Sequence, residues 1–157
     1  MTNKEIKIAY LEYESADQLD PQDRQLAKAA IEAIGNSYAP YSHFNVGAAV
    51  MLEDGEIIKG SNQENAAYPS GLCAERTALF YAGATYPDKA VVKLAIAAGQ
   101  NGKLCDTPAT PCGACRQVMA QYQFKGGRPM EVLLIGARNI WKFSKVDDLL
   151  PLIFDSI

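Results

Sequence analysis

Runs of apolar residues, some of them alternating with polar ones, predict the strands of a sheet along the chain. Residues 44–52 and 56–61 are strand-like and are separated by Glu53-Asp54-Gly55, in which Asp-Gly is a typical hairpin turn. We therefore expect the sheet to open with an antiparallel pair of strands. Residues 91–98 and 131–137 are mostly apolar without alternation, which indicates strands that are covered on both faces.

Helical patterns alternate with these strands. Asp20-Pro21 places a helix N-cap before a proline at the first helical position, and the apolar stripe that follows ends at Gly35. A second helix is predicted from Cys73 to about residue 82, and a third from Pro111 to about residue 122. Strands and helices in this order predict an α/β protein with a mixed sheet and helices on both faces.

The two ends of the chain give weaker patterns. Ile6, Ile8 and Tyr10 alternate with polar or small residues, which fits either a short edge strand or a flexible leader. Toward the other end, residues 140–143 favour a strand and residues 145–150 a short helix. Neither end changes the predicted fold class.

Length and charge narrow the possible roles. At 157 residues with 48% hydrophobic content, the chain is long enough for one compact domain. We expect a single domain over residues 1–157, with residues 1–20 as an N-terminal extension. The net charge of −3 and the pI of about 5.2 give no reason to expect binding to nucleic acid or to an anionic membrane. The expected partner is a small molecule.

Targeting signals are also missing from the pattern. No apolar run approaches the roughly 20 residues that a membrane span needs, and the N-terminus leads into no signal-peptide core. We therefore expect a soluble protein in the cytoplasm. Without an export signal, the four cysteines favour thiol or metal chemistry over disulfide bonds.

The cysteines carry the strongest chemical signal in the chain. Cys112 and Cys115 stand three positions apart at the start of a predicted helix, so both sulfurs face one point. With Cys73 as a third thiolate, a tetrahedral Zn²⁺ keeps one position open for water, as catalytic zinc sites do. Glu75, two residues after Cys73, is placed to move protons beside that position. The whole pattern is the signature of the zinc deaminases.

Other interpretations of the cysteines are open at this stage. The Cys112-x-x-Cys115 spacing alone also occurs in redox dithiols and in closed structural zinc sites. A redox dithiol gives no role to Cys73 or Glu75. A closed zinc site would need Cys105 as its fourth ligand, but this cysteine has no metal-type spacing to its neighbours.

The charge of such a zinc site must be balanced by its surroundings. Three thiolates on Zn²⁺ carry a net charge of −1, which weakens the acidifying effect of the metal on water. Both helices that carry the ligands are expected to begin at the same end of the sheet, where their N-termini favour the thiolate form. Arg76 and Arg116, each next to a ligand motif, are predicted to hydrogen-bond the sulfurs.

Two longer stretches resemble a known family. Cys73-Ala74-Glu75-Arg76-Thr77-Ala78 and Pro111-Cys112-Gly113-Ala114-Cys115-Arg116-Gln117-Val118 are similar to the two active-site motifs of the small, homotetrameric cytidine deaminases that act on free nucleosides. The similarity extends in register to residues 38–44, to residues 62–66 and to Leu149-Leu150-Pro151 with Phe154. The resemblance implies the fold of that family, a three-layer α/β/α sandwich with a mixed sheet.

The resemblance also implies roles for residues that the chain pattern leaves undecided. Phe44 by itself is a core residue at the start of a strand, and the family places it against the pyrimidine. Asn62 and Glu64 by themselves could form a solvated face. The family places these two on the ribose hydroxyls, which an amide and a carboxylate suit. The backbone at Ala74 and Pro111 would hold the edge of the base.

Some residues are implied to act between the subunits of a homotetramer. Ala66 and Tyr68 match positions that contact a neighbouring subunit's nucleoside. Phe154 ends an apolar tail, residues 149–154, which by itself would be expected to dock on its own domain. The corresponding Phe of the family reaches into an adjacent subunit's pocket, so the resemblance implies shared active sites.

The motifs and the resemblance together imply a reaction. It is the zinc-dependent hydrolytic deamination of cytidine and 2′-deoxycytidine to uridine and 2′-deoxyuridine, as in pyrimidine salvage, with Glu75 moving the protons. One alternative is a deaminase of the same fold that acts on another aminated heterocycle, such as blasticidin. Another is a zinc-stabilised binding module without catalysis. Deaminases that edit nucleic acid are disfavoured, because they generally use His at the position of Cys73 and need a basic track.

Overall fold

Strands and helices alternate along residues 1–155, the part of the chain that the computed structural model describes. The helices are α1 (Pro21–Ala33), α2 (Ala74–Thr85) and α3 (Gly113–Gly126). The strands are β1 (Leu11–Tyr13), β2 (Phe44–Leu52), β3 (Ile57–Ser61), β4 (Val91–Gln100), β5 (Lys103–Leu104), β6 (Glu131–Ile135) and β7 (Ile140–Phe143). A single domain over residues 1–157 stays a prediction, and residues 156 and 157 lie outside those described.

Within the described residues, the strands form one mixed sheet in the order β1-β7-β6-β4-β2-β3, and β5 pairs with the end of β4. Strands β4 and β6 run parallel, whereas the other neighbours are antiparallel. The predicted hairpin is confirmed, since β2 and β3 pair across a turn in which Gly55 has a φ of 89°. Only a residue without a Cβ adopts that angle freely.

Helices cover both faces of this sheet. On one face α2 and α3 pack through Leu79 and Met119 against strand residues that include Val50. On the other face α1 packs through Leu26 against residues that include Ala49. Neighbouring residues of one strand thus enter opposite cores, because successive side chains of a strand point to opposite faces. The three-layer α/β/α sandwich is therefore confirmed.

The start of α1 follows its predicted cap. The Asp20 side chain accepts a hydrogen bond of 2.8 Å from the backbone N–H of Asp23, and Pro21 occupies the first helical position. The helix ends at Ala33, and a 3₁₀ turn over Ile34–Asn36 carries the chain through Gly35. The local sequence signals therefore locate this helix to within about one turn.

The N-terminal strand lies later in the chain than its alternation suggests. Ile6, Ile8 and Tyr10 are outside the strand and at least half exposed, and β1 pairs with β7 from Leu11 onward. Contacts with β7 come from both sides of the boundary: the Tyr10 ring packs against Trp141 and Phe143, and the Glu12 carboxylate accepts a hydrogen bond of 2.6 Å from the Trp141 indole.

Three further differences concern short elements. The predicted helix over residues 145–150 is a 3₁₀ turn, Val146–Asp148, and β6 ends at Ile135 rather than at residue 137. Strand β5 was not predicted, because two residues carry no periodic pattern. Among the described residues, no helix is long and apolar enough to span a lipid bilayer.

Candidate metal centre and adjoining cleft

Three cysteines meet where two helices begin. Cys73 is the N-cap of α2, Cys112 is the N-cap of α3, and Cys115 lies in the first turn of α3. Their Sγ atoms all lie within 4.8 Å of one another, and those of Cys112 and Cys115 are 3.6 Å apart. A tetrahedral zinc ion with Zn–S bonds of about 2.3 Å holds its sulfurs about 3.8 Å apart. The three donors therefore fit zinc in type and in spacing.

The helix starts supply a favourable field for thiolates. The side chains of Cys73 and Cys112 do not cap their helices. Neither sulfur therefore takes up a backbone N–H group of the first helical turn. Each helix N-terminus acts as roughly half a positive charge, which favours negatively charged sulfur nearby. The convergence of two helix starts expected from the sequence is present.

The pKa values of two of the clustered cysteines move in opposite directions. A hydrogen bond from Cys115, followed by the Arg76 guanidinium, lowers the pKa of Cys73 to about 5. The same bond to Cys73, together with burial, raises the pKa of Cys115. Since zinc binds the thiolate form, loading the site releases the remaining thiol protons.

Arg76 supports the thiolates as predicted. Its Nη2 donates to the Cys73 sulfur at 3.6 Å. Its Nε is buried and has no hydrogen-bond partner within residues 1–155. A buried donor without an acceptor is costly, at about 1–3 kcal/mol, so a guanidinium with a spare donor beside three sulfurs suits a cluster in which all three are negatively charged.

Arg116 differs from its prediction. Its Nε donates to the carbonyl of Pro111 at 2.8 Å, and its Nη1 donates to the carbonyl of Leu149 at 2.8 Å. These bonds tie the start of α3 to the segment after β7 instead of reaching the sulfurs. The predicted hydrogen bond to sulfur is thus replaced by backbone contacts, because the fold brings Leu149 beside the helix start.

Glu75 is a buried carboxyl next to the cysteines. It lies in the first turn of α2 and is only 5% exposed. Burial raises the pKa of Glu75, and the negative charge of Cys73 raises it further. A raised pKa makes the carboxylate a stronger base and brings its pKa closer to the operating pH, which favours general acid/base catalysis.

A cleft of about 510 Å³ opens beside the cluster. Cys73 and Arg76 belong to its lining, so the cleft reaches the cysteines. Of the predicted substrate residues, Asn62, Glu64 and Tyr68 line this cleft. The remainder of its lining mixes polar, aromatic and apolar residues and comprises Tyr41, Ser42, Gln63, Asn65, Gly71 and Leu72.

The other predicted substrate residues lie around or away from the cleft. Phe44 begins β2 and is 36% exposed, whereas Ala74 is fully buried in the first turn of α2. Ala66 is exposed in the loop after β3. Phe154 is held against α3 by Gln117 and lines a separate groove of about 190 Å³, so it is not part of the cleft lining.

Asn62 and Glu64 are already engaged in hydrogen bonds. The Asn62 side chain donates to the carbonyl of Phe44 at 2.9 Å and accepts from the N–H of Val46 at 2.8 Å. The Glu64 carboxylate accepts from the N–H of Tyr41 at 2.9 Å, from the N–H of Ser42 at 3.3 Å and from the Ser42 hydroxyl. Both side chains are therefore held in fixed orientations at the cleft.

Sequence reasoning missed two polar residues that organise this region. Ser42 was part of a matching motif, but its hydroxyl had no assigned partner until the fold brought Glu64 beside it. Gln117 likewise pairs with the tail: its side chain donates to the Phe154 carbonyl at 2.8 Å and accepts from the Phe154 N–H at 3.2 Å. Neither contact leaves a local signal in the sequence.

Comparison with known proteins agrees with this geometry. Residues 20–126 match the family model of the cytidine and deoxycytidylate deaminase zinc-binding region. A cytidine deaminase of Halalkalibacterium halodurans is 50% identical over 102 residues, which cover 63% of this chain and 71% of that protein. One from Sporosarcina psychrophila is 43% identical over 115 residues, which cover 73% of this chain and 78% of that protein.

A solved structure gives the same assignment. The crystal structure of cytidine deaminase from Burkholderia pseudomallei matches with a TM-score of 0.70 and 41% identity, covering 83% of this chain and 97% of that one. The family match spans well over half of the chain and includes all three clustered cysteines. The chain therefore belongs to the zinc-binding cytidine and deoxycytidylate deaminase family.

Proposed function

We propose that this protein is a zinc-dependent enzyme that hydrolyses cytidine and 2′-deoxycytidine to uridine and 2′-deoxyuridine. The observation that carries the proposal is the three-sulfur cluster with the buried carboxyl of Glu75 beside it, at the end of an open cleft. A role in pyrimidine salvage follows from the reaction, since it recovers uracil nucleosides from free cytosine nucleosides.

Cys73, Cys112 and Cys115 would hold Zn²⁺, which supplies the Lewis acidity that makes water a nucleophile near neutral pH. Glu75 accepts a proton from the attacking water and delivers it to N3 of the pyrimidine, while the water oxygen bonds to C4. Glu75 then passes the second proton to the exocyclic amine. The C4–N bond breaks, and ammonia leaves. Burial keeps bulk water from competing for these protons.

The nucleoside would be held by the residues around the cleft. Phe44 would stack on the pyrimidine, and backbone groups at Ala74 and Pro111 would hold the edge of the base. Asn62 keeps one N–H and one lone pair unused after its bonds to β2, and Glu64 keeps one of its roughly four acceptor positions. These unused positions support the assignment of both side chains to the ribose hydroxyls.

The proposed enzyme is a homotetramer in which neighbouring subunits complete each active site. Ala66 and Tyr68 are exposed at the loop after β3, and Tyr68 is 76% exposed. Phe154 is 68% exposed although its backbone is held by Gln117. Large aromatic side chains that are held in place and exposed suit contact with another subunit. Reduced thiolates suit a reducing compartment, and we propose the cytoplasm.

The test is an absorbance assay of cytidine loss with purified, zinc-loaded protein. We expect turnover of cytidine and 2′-deoxycytidine, identified by chromatography of the uridine products. CMP should be a much poorer substrate. The hydrogen bond from the Ser42 hydroxyl lowers the pKa of Glu64, so its carboxylate stays ionised and repels phosphate, and residues 60–74 contain no Lys or Arg. Comparable kcat/KM for cytidine and CMP would contradict the free-nucleoside assignment.

The alternatives give different results in the same assay. Turnover of blasticidin without turnover of cytidine would assign the cleft to another aminated heterocycle. Full zinc loading with no turnover of any of these substrates would indicate a binding module. Both outcomes would overturn the proposed function while leaving the fold and the cysteine cluster intact.

A further inference from the structure

The rim of the cleft is a tight turn that is held by one carboxylate. Glu64 accepts three hydrogen bonds, all of them from Tyr41 and Ser42, although about 22 residues separate the partners. Hydrogen bonds to a charged acceptor are roughly twice as strong as those between neutral groups. The turn before β2 is therefore tied to the loop after β3 through Glu64.

Ser42 extends this connection to the start of β2. Its hydroxyl donates to Glu64 and accepts from the backbone N–H of Phe44 at 3.1 Å. A hydroxyl can do both at once, because it carries one donor and two lone pairs. The Phe44 carbonyl is held in turn by Asn62 at 2.9 Å. Phe44 thus has its N–H and its carbonyl fixed by side chains of two cleft residues.

The backbone between these contacts is in an uncommon conformation. His43 has a φ of 54°, in the left-handed region that non-glycine residues seldom adopt. The N–H of His43 donates to the Ala39 carbonyl at 3.1 Å. The residues before and after His43 are also held, because the Ser42 hydroxyl donates to Glu64 and accepts from the N–H of Phe44. Such a conformation persists only when surrounding contacts impose it, and Ser42 supplies the contacts on both sides.

We propose that Ser42 is a positioning residue for nucleoside binding, which holds Phe44 and the Glu64 carboxylate in the orientation that the substrate requires. This inference rests on the proposed function and deepens it. Ser42 makes no contact with the cysteine cluster or Glu75 among its hydrogen bonds. Its loss should therefore weaken substrate binding and leave the chemical step largely unchanged.

The test compares Ser42→Ala, Ser42→Thr and Ser42→Val in the zinc-loaded protein. We expect Ser42→Ala to raise KM for cytidine about tenfold, with kcat within about threefold of the wild type and zinc content unchanged. Ser42→Thr keeps the hydroxyl and should restore KM, whereas Ser42→Val has the shape of threonine without the hydroxyl and should not. The Thr and Val pair decides the question even if Ser42→Ala folds poorly.

Ser37 offers a matched control on the same segment. Its hydroxyl donates to the Ile34 carbonyl at 2.6 Å and accepts from the Asn45 side chain at 2.7 Å. Ser37 thus makes the same kinds of hydrogen bond as Ser42, but it does not line the cleft. Ser37→Ala should leave KM unchanged. An equal rise in KM for Ser37→Ala and Ser42→Ala would show a general structural effect and overturn the positioning role.

A second readout separates this inference from the proposed function. Amide hydrogen exchange should show that the Phe44 N–H exchanges faster in Ser42→Ala than in the wild type, and this measurement needs no substrate. Wild-type protein that fails to deaminate cytidine would overturn the proposed function, and the Ser42 role with it, even if exchange changes as expected. Wild-type turnover with an unchanged KM in Ser42→Ala and Ser42→Val would overturn the Ser42 role alone.

Discussion

At the residue scale, the four cysteines fall into three that share one point and one that stands apart. Cys105 is half-buried after β5, and among the described residues it is not part of the sulfur cluster. Its backbone pairs with Ala98 and Ala137, and both bonds are independent of the thiol. The side chain of Cys105 therefore has no part in the contacts that define the site.

Replacing one cysteine at a time tests this division. Cys73→Ala, Cys112→Ala and Cys115→Ala should each lose zinc and deaminase activity. A catalytic zinc site has three protein ligands, and each of these variants keeps only two. Cys105→Ala should keep both, and it serves as the matched control. Metal analysis of the four purified variants decides the matter. Loss of zinc from Cys105→Ala would mean that the site is closed by a fourth sulfur.

Glu75 gives the second residue-scale prediction. Glu75→Gln should keep the fold and the zinc but lower kcat by about 10²–10⁴-fold, because an amide cannot accept the proton of water. Melting temperature and metal content establish that the variant is intact, and the rate is measured with cytidine. Turnover within a few-fold of the wild type would remove Glu75 from the proposed mechanism.

At the element scale, the metal centre depends on how closely α2 approaches the sheet. Gly60 of β3 lies against the first turns of that helix, where an added Cβ would come within 2.5 Å of the Ala78 nitrogen and 2.8 Å of the Ala74 carbonyl oxygen. These contacts are with backbone, which cannot rotate away. Gly60 thus sets the distance between β3 and the helix whose N-cap is Cys73.

A single methyl group at this contact should disturb both stability and metal binding. Gly60→Ala should lower the free energy of unfolding by about 1–3 kcal/mol through overpacking, and it should weaken zinc binding because α2 must shift. Gly35→Ala is the control, since no atom of the described chain lies within 4 Å of its added Cβ. Urea unfolding and zinc titration of the two variants make the comparison. Equal stability and zinc affinity would show that α2 adjusts without cost.

The α1 face of the sheet contains a buried ionic group on the side opposite the metal centre. Asp23 of α1 is 1% exposed and pairs with Lys93 of β4 at 2.6 Å and with Lys142 of β7. Both lysines also pair with Glu131 of β6. The group joins one helix and three strands, and therefore ties α1 to the centre of the sheet.

Removing the central charge should destabilise the fold in a manner that depends on pH. Asp23→Asn should cost about 3 kcal/mol, because it leaves two lysines short of a buried partner. Glu32→Gln is the control, since the ion pairs of Glu32 with Lys28 and Lys59 are exposed and contribute about 0–1 kcal/mol.

The pH dependence follows from the lysines. Burial alone would lower the pKa of Lys93 and of Lys142, but the hydrogen bonds to Asp23 and Glu131 outweigh it and raise both above the ordinary value of 10.5. A raised lysine pKa contributes stability that is present below pH 10.5 and is lost as the pH rises through the folded-state pKa. Urea unfolding from pH 7 to 11 should therefore show the Asp23→Asn difference narrowing above pH 10.5. A constant difference would contradict the ion-pair explanation.

At the scale of the whole molecule, the C-terminal tail is held on α3 while its aromatic ring faces outward. Gln117 hydrogen-bonds both backbone groups of Phe154, and the residue is 68% exposed. Leu152 and Phe124 nearby are also largely exposed, which leaves an apolar surface around the tail. The tail is thus held against α3 through its backbone, while the side chains of Leu152 and Phe154 stay largely exposed.

Truncation after Pro151 tests whether that surface completes a neighbour's active site. Losing Phe154 should raise KM for cytidine about tenfold, since burial of a Phe contributes roughly 1.5–3 kcal/mol, and should loosen the tetramer while zinc stays bound. Light scattering reports the oligomeric state, and Phe154→Ala separates the ring from the backbone contact. A full-length protein that is monomeric, with KM unchanged by truncation, would contradict both the tetramer and the shared site.

The sequence by itself determined the features that short spacings encode. The order of the three helices and of strands β2, β3, β4, β6 and β7 was predicted, as were the cap of α1 at Asp20 and the candidate ligands with Glu75. Periodicity, capping and i, i+3 geometry act between residues close in the chain. The meeting of Cys73 with Cys112 was also predictable, since both mark helix starts at the same end of the sheet.

Only the tertiary structure decided the contacts between distant parts of the chain. Asp23 meets lysines that lie 70 and 119 residues away, and Ser42 meets Glu64 across 22 residues. For the same reason, Arg116 donates to the carbonyl of Leu149 and not, as the sequence had predicted, to the sulfurs. A polar side chain takes whichever partner the packed layers bring within about 3 Å, and no local pattern states which one that is.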